Sequence, residues 1–331
     1  ARPWRKSTDF MPTETLHYEN ARFAQQLFAN DPHHLKSLED ALGVKATARD
    51  GWIRLDGETA AVERAKHLFQ QLEAALKGGS AISQRDFTSA LDVVKHEGVE
   101  ALRGLHSERI HTSQRKAHVL PKTTGQKKYV EAIRTHDVTL GVGPAGTGKT
   151  YLAMAMAVSA LREGAVSRII LTRPAVEAGE ALGFLPGDLH EKLTPYLRPL
   201  YDALHDMLPG EEIEKHMERG IIEVAPLAYM RGRTLNNSFI VLDEAQNTTP
   251  EQMLMFLTRL GFNSKAVVTG DPTQTDLPGH KTSGLREAAK VLHKVEGVAI
   301  IEFSRRDIVR HPLVQRIIVA YEEHRGRAMN G

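Results

Sequence analysis

Two hydrophobic rhythms divide this chain. Over residues 16–78 apolar positions recur at helical spacing in Ala21 to Phe28, and again in Leu35, Leu38 and Leu42, which share one face. Gly43 then closes the second helix, and Val44 to Ala48 and Trp52 to Leu55 read as a strand pair turning at Asp50-Gly51. Ala60 to Leu76 is a longer amphipathic helix stopped by Gly78-Gly79. The order helix–helix–strand–strand–helix predicts a small α+β domain over 16–78, with residues 1–15 left as a flexible tail.

From Gly125 onward the rhythm changes. Short apolar runs at 138–142, 168–172, 221–224, 239–243, 265–269 and 298–303 predict strands. Helices fall between them near 149–163, 250–260, 283–292 and 311–325, with Gly164 and Gly261 as expected C-caps. Strands alternating with helices predict an α/β domain over 125–331, a doubly wound parallel sheet with helices on both faces. One connection, Arg173 to Gly220, is unusually long and contains the amphipathic stretch Pro195 to Leu204. Connections of that length inside a compact domain tend to carry function or an interface.

Composition narrows the class without naming it. At 331 residues the chain has room for two domains, one with a sizeable core. A formal net charge of +2 with 25% charged residues points to no particular partner. The absence of cysteine excludes disulfides, thiolate zinc sites and iron–sulfur clusters, and it suits a reducing compartment. Ala1 to Ser7 carries charge with no apolar segment behind it, so no signal peptide is expected. No run approaches the ~18 apolar residues of a membrane span. A cytoplasmic location with no membrane contact is expected.

The chemistry concentrates where the first core strand ends. Gly143, Pro144, Ala145, Gly146, Thr147, Gly148, Lys149 and Thr150 fit G-x-x-x-x-G-K-[ST], with Tyr151 beside them at the start of a helix. Glycines let successive backbone N–H groups curl around an anion, and the helix beginning near Lys149 aims its positive end at it. Lys149 reaches the β- and γ-phosphates, and the Thr150 hydroxyl is a ligand for Mg²⁺. These residues are expected to bind a nucleoside triphosphate, ATP with Mg²⁺.

Three further strand ends supply polar groups. Phe239-Ile-Val-Leu-Asp243-Glu244 places Asp243 at the carboxyl edge of a strand, where ligands bind in an open sheet, and gives it a Mg²⁺-holding role. Glu244 is the expected base for the attacking water. Val267 to Gln274 delivers Asp271, suited to hold its loop, and Gln274, suited to sense the γ-phosphate or orient water. Gln126, before the first core strand, is placed to read an adenine edge with Tyr129 packed nearby. Transition-state charge commonly draws in an arginine. Arg305 and Arg306 lead the candidates, followed by Arg310, then Arg231 and Arg233; Arg173 is expected to face nucleic acid or the long connection.

Residues 79–124 are expected as a basic linker with one short helix at Phe87 to His96. Between Arg103 and Lys128 stand Lys/Arg at 103, 109, 115, 116, 122, 127 and 128 against the single acid Glu108. That run is either a solvated segment or a set of contacts to nucleic-acid phosphates. The helix–helix–strand–strand–helix order of 16–78 resembles a KH-type RNA-binding module. Such modules clamp a backbone with a GxxG loop between the first two helices, and here that place holds Asn30-Asp-Pro-His-His34. RNA binding and a docking role both remain open for it.

The longer words carry a sharper resemblance. Thr172-Arg-Pro-Ala-Val-Glu-Ala-Gly-Glu180, Leu185-Pro-Gly-Asp188, Pro195-Tyr-Leu-Arg-Pro-Leu-Tyr-Asp202, Met230-Arg-Gly-Arg-Thr234, Leu242-Asp-Glu-Ala-Gln-Asn247 and Gly270-Asp-Pro-Thr-Gln274 resemble the bacterial PhoH-like (PhoH/YbeZ) family. The resemblance implies a P-loop NTPase with one RecA-like core of the superfamily 1 helicase type, preceded by the KH-like domain. It places Gln126 in an adenine-reading motif, Thr172 to Pro174 in a nucleic-acid motif, Asp243-Glu244 in the metal and base motif, and Gly270 to Gln274 in a third. It also implies RNA metabolism, a link to phosphate starvation, and partnership with a YbeY-type endoribonuclease. A second core is expected to be lacking, so a catalytic arginine would come from a neighbouring subunit of a homo-oligomeric ring, such as a hexamer, or from the chain's own tail. Three functions follow: an ATPase that remodels or unwinds RNA and binds single-stranded RNA, a kinase, and a non-motor ATP switch that recruits a nuclease. A water-activating Glu244 beside Asp243 favours hydrolysis over phosphoryl transfer to an acceptor.

Overall fold

The computed structural model describes residues 13–78, 81–106, 108–113, 116, 118–174, 189–279, 281–309, 313, 314, 317, 320 and 321. The chain divides into two compact units, Ala1–Glu108 and Arg109–Gly331.

In the first unit the order is β1 (Thr13–His17), α1 (Ala21–Leu27), α2 (His33–Leu42), β2 (Lys45–Arg49), β3 (Trp52–Asp56), α3 (Thr59–Lys77), α4 (Gln84–Glu97) and α5 (Val99–His106). The three strands form an antiparallel sheet in the order β1-β3-β2. Alternation on β3 buries Ile53 and Leu55 while Arg54 faces out. Helices α1, α2 and α3 cover that face with Leu27, Leu38, Leu42, Leu68 and Phe69. Fully burying a Leu or Phe contributes roughly 1.5–3 kcal/mol, so this small core is held by a few large side chains.

Two expectations fail here for physical reasons. Thr13–His17 is an edge strand rather than tail; its only strongly apolar residue is Leu16, so it gives almost no alternation signal. Where a basic linker with one short helix was expected, α4 and α5 continue the core. Ser83 and Asp86 form a capping box that starts α4. Phe87, Leu91 and Val94, then Leu102 and Leu105, are buried with the α2 and α3 side chains, while Arg85, Lys95 and Arg103 remain exposed. Those three lie on the outer faces of amphipathic helices.

The second unit runs α6 (Thr124–Thr135), β4 (Val138–Val142), α7 (Lys149–Arg162), β5 (Arg168–Arg173), α8 (Leu189–Met207), α9 (Gly210–Glu218), β6 (Ile222–Pro226), β7 (Ser238–Leu242), α10 (Pro250–Leu257), β8 (Lys265–Gly270), α11 (Gly284–Val291) and β9 (Val298–Glu302). Its six strands pair in parallel in the order β6-β5-β7-β8-β4-β9. Alternate side chains feed two cores. Ile169, Leu171, Val241 and Val267 pack with Tyr129, Leu152, Val158, Leu200 and Leu204 of α6, α7 and α8. Ile170, Ile240, Leu242 and Val268 pack with Met253, Phe256 and Leu285 of α10 and α11. Helices therefore cover both faces, as the near-continuous apolar strands require.

All six predicted strands are present within two residues of their expected ends. Helix α6 was not foreseen, because Thr123, Gln126, Lys127 and Lys128 mask its buried face of Tyr129, Val130 and Ile133. Helix α10 ends at Leu257, so Gly261 is not its cap. A Cβ on Gly261 would instead lie 2.8 Å from the Leu235 carbonyl, which explains a glycine there. The helix expected over 311–325 lies largely outside the described residues.

Candidate functional site

Parallel strands bring the carboxyl ends of β4, β5, β7, β8 and β9 to one edge of the sheet, and the polar residues meet there. The loop from Gly143 to Gly148 leaves β4 and enters α7. It turns through positive φ at Gly143 (147°), Gly146 (85°) and Gly148 (79°). A Cβ at Gly143 would sit 2.5 Å from the Phe303 carbonyl oxygen, so the tight entry demands glycine. Lys149 is buried and folds back over the loop, donating from Nζ to the carbonyls of Gly143 (2.7 Å) and Pro144 (2.8 Å). Its ammonium thus lies inside the curl that an anion would enter.

Across from this loop stands Asp243, at the end of β7 and 2% exposed. Its Oδ1 accepts from the Thr150 hydroxyl at 2.6 Å and from the Thr269 hydroxyl at 2.7 Å. Its Oδ2 accepts from Arg173 Nε at 2.8 Å and faces Nη2 at 2.6 Å. Glu244 follows in a left-handed backbone conformation (φ 55°, ψ 37°). For a non-glycine residue that strain costs of order 1–3 kcal/mol, and it gathers at functional sites. The turn holds the Glu244 carboxylate half exposed, with Oε1 at 3.2 Å from Arg173 Nη2 and Oε2 accepting from Gln246 Nε2 at 2.5 Å.

The third strand end closes the cluster. Asp271 Oδ2 accepts from the Ala145 N–H at 3.1 Å, tying the loop after β8 to the phosphate-type loop. Its Oδ1 holds Thr273 through the backbone (3.0 Å) and the hydroxyl (2.6 Å). Gln246, 2% exposed, bridges the two motifs, since its Oε1 accepts from the Asp271 N–H at 3.1 Å. Gln274 is exposed instead, and the glutamine that touches Glu244 is Gln246. Nothing in spacing distinguished the two; burial does.

Other expected residues fall differently. Gln126 is buried and its amide is engaged with protein, Nε2 to the Thr147 carbonyl (2.9 Å) and Oε1 from the Lys122 N–H (2.7 Å). It braces the loop from behind. Tyr129 is wholly buried with its ring 5.3 Å from that of Phe303, and burial, with the Asp243 charge second, pushes its hydroxyl well above the ordinary range. Tyr151, on the first turn of α7, is partly exposed. Arg305 and Arg306 are exposed on a short turn after β9. That turn is anchored by the Thr123 hydroxyl on Asp307 (2.7 Å), and just beyond it the Val309 N–H donates to the Gly146 carbonyl (2.9 Å). Arg233 is held by both oxygens of Glu223 (2.6 and 2.7 Å), and Arg310 lies outside the described residues. Arg173, expected to face nucleic acid or the long connection, meets that connection at the Tyr196 carbonyl (2.8 Å) and points at the same time into the acids.

The donor set suits a small hard cation. A hydroxyl and a carboxylate stand side by side at the mouth of an anion-binding loop, the pattern by which Mg²⁺ is shared between protein and phosphate oxygens. Among the described residues there is no cluster of three or more His, Cys, Asp or Glu that could hold a metal ion. No helix of the described residues is long and apolar enough to cross a membrane.

A parallel α/β sheet whose first strand feeds a glycine loop, with a lysine curled inside it and a carboxylate on the loop's threonine, defines a P-loop NTPase. The particular family follows from sequence comparison. The model of the family described as PhoH-like protein matches residues 118–322. The chain is 50% identical over 305 residues to a PhoH-like protein of Bacillus subtilis, covering 92% of this chain and 96% of that one. It is 52% identical to a PhoH-like protein of Mycobacterium tuberculosis, over 90% of this chain and 84% of that one. It is 44% identical to Protein PhoH of Escherichia coli, over 72% and 66%. The chain belongs to the PhoH-like family. Among solved structures, a Sulfolobus solfataricus SWI2/SNF2 ATPase core in complex with dsDNA overlaps 45% of this chain and 31% of its own, at TM-score 0.31 and 18% identity.

Proposed function

We propose that this chain binds ATP with Mg²⁺ at the Gly143–Thr150 loop, hydrolyses it, and couples turnover to remodelling or unwinding RNA, with single-stranded RNA as the bound partner. The observation that carries the hydrolytic part is the meeting of Thr150, Asp243 and Glu244 beside Lys149. Lys149 would exchange the carbonyls of Gly143 and Pro144 for phosphate oxygens, and the loop N–H groups would hold the β-phosphate. Thr150 and Asp243 would hold Mg²⁺, which would supply charge neutralisation to the phosphates. Glu244, half exposed and steadied by Gln246, is placed to orient and deprotonate the attacking water. Asp271 conveys the position of the β8 loop to Ala145, so the third motif can register what the loop holds.

The RNA part rests on the family and on the basic residues between Arg103 and Lys128, and so does the suggested place in RNA metabolism under phosphate starvation. Exposed Arg305 and Arg306, on the segment whose Val309 N–H bonds the loop carbonyl of Gly146, suit a transition-state role within a homo-oligomeric ring such as a hexamer. A second reading is a non-motor ATP switch that recruits a YbeY-type nuclease. It is favoured by the turn between α1 and α2. There Asp31, whose Oδ1 accepts from the His33 N–H at 2.9 Å, stands where an RNA-clamping module has glycines. Steady-state ATP hydrolysis with and without single-stranded RNA separates them. The motor reading predicts stimulation that Lys149→Ala and Glu244→Gln both abolish; tight ATP binding with turnover indifferent to RNA would leave the switch.

A further inference from the structure

Arg173 closes β5 and is spent entirely inside the site. Its side chain is 15% exposed and all three guanidinium nitrogens are engaged. Nε and Nη2 lie on Asp243 Oδ2 at 2.8 and 2.6 Å, Nη2 also lies 3.2 Å from Glu244 Oε1, and Nη1 donates to the Tyr196 carbonyl at 2.8 Å. Tyr196 belongs to α8, the helix of the long connection after β5. One side chain therefore ties both acids to an element that supplies none of the phosphate-binding groups.

We infer that Arg173 is a positioning residue that latches α8 to the Asp243–Glu244 pair, and that a Mg²⁺-bound nucleotide opens the latch. The inference rests on the proposed ATP site. Asp243 takes two hydroxyls on Oδ1 and one guanidinium edge on Oδ2, so both of its oxygens are already satisfied. A divalent cation at Thr150 and Asp243 places a second positive centre on the same buried carboxylate. Like charges sharing a poorly screened site repel strongly, and only one of them brings compensating phosphate oxygens. The guanidinium is the group displaced. Its departure frees Glu244 Oε1 for water and releases the Tyr196 carbonyl, so nucleotide occupancy loosens the first half of α8. By reciprocity, whatever pulls α8 away favours Mg²⁺-nucleotide binding by the same factor. Helix α8 thereby becomes the element that reads the nucleotide state. A guanidinium serves this better than an ammonium, because only its fork spans two carboxylates and a carbonyl at once.

The test uses the full chain, a fluorescent N-methylanthraniloyl ATP and ATPγS. The Mg²⁺ concentration giving half-maximal binding of the fluorescent nucleotide is measured for wild type, Arg173→Ala and Arg173→Lys. Amide hydrogen exchange over residues 189–207 is measured with and without Mg²⁺-ATPγS. The latch predicts that Arg173→Ala lowers the Mg²⁺ midpoint about tenfold, within the usual range of coupling between sites. Arg173→Lys, which keeps the charge without the fork, lies between. In wild type, exchange over 189–207 rises when Mg²⁺-ATPγS binds, and in Arg173→Ala it is already raised before nucleotide is added. If Arg173→Ala does not fold, a lowered midpoint and raised basal exchange in Arg173→Lys carry the same prediction. Wild type that binds the nucleotide, with midpoint and exchange unchanged in the variants, would show Arg173 to be a strut and overturn the latch alone. Wild type that binds no nucleotide at any Mg²⁺ concentration would overturn the ATP site, and the latch with it.

Discussion

Gln246 is the residue whose removal reports most sharply on how the site is built. It is 2% exposed, donates to Glu244 Oε2 at 2.5 Å and accepts from the Asp271 N–H at 3.1 Å. Gln246→Ala strands a buried N–H, which costs roughly 1–3 kcal/mol, and removes a charge-assisted bond of similar size. The two losses share one side chain, so a total near 2–3 kcal/mol is expected in a urea melt. The kinetic loss should be larger in consequence. Glu244 keeps its strained turn but loses the tether on one oxygen, and misplacing a catalytic group by about 1 Å costs on the order of 100-fold. Turnover should fall by roughly that factor, with the KM for ATP within about threefold, because Gln246 does not touch the phosphate loop. Gln246→Glu separates the two effects. It retains an acceptor for Asp271 and recovers part of the stability, yet sets a carboxylate against Glu244 and leaves turnover low. Turnover within threefold of wild type in Gln246→Ala, or full recovery in Gln246→Glu, would refute the assignment.

Two further substitutions probe the frame around the site. The Tyr129 hydroxyl is fully buried with no hydrogen-bond partner among the described residues; Tyr129→Phe should be neutral or stabilising by up to about 1 kcal/mol at pH 7, read by urea titration. The hydroxyl's pKa is raised in the fold, so its contribution is intact below the unfolded value near 10 and is lost as pH rises above it. Tyr129→Phe should therefore flatten the alkaline loss of stability, and a steeper loss would contradict the burial argument. Gly143→Ala meets both a positive φ of 147° and a Cβ contact of 2.5 Å to Phe303; calorimetric titration should show ATP binding weakened at least about 100-fold, a loss consistent with a distorted loop.

The α/β core was legible because its strands are buried on both faces and so stand out as unbroken apolar runs, Phe239 to Leu242 and Ala266 to Val268 among them. The loop residues were legible because glycine, lysine and threonine at fixed spacing serve one physical purpose. What escaped notice had weaker local signals. Thr13–His17 is a polar edge strand that only its pairing with β3 defines. Helix α4 extends the helix expected at Phe87 to His96, while α5 was hidden by the charge on its outer face and α6 by its polar first turn. Within the site, Arg173 and Gln246 belong to recognisable words, yet a sequence does not say which way a side chain points. Arg173 turned inward because Asp243, Glu244 and the Tyr196 carbonyl gather at the end of β5, a convergence that exists only once β5 and β7 pair. The family resemblance supplied the words and the geometry supplied their grammar.

The central claim is that Glu244 activates water on an ATP held by Lys149 and Thr150. Single-turnover cleavage of γ-labelled ATP by wild type and Glu244→Gln, alongside equilibrium ATP binding, tests it directly. The account predicts that Glu244→Gln binds ATP within about threefold of wild type while cleavage slows by 100-fold or more, within the range for losing a general base. Cleavage at the wild-type rate would show that another group activates the water, and loss of binding would show that Glu244 serves the nucleotide rather than the reaction.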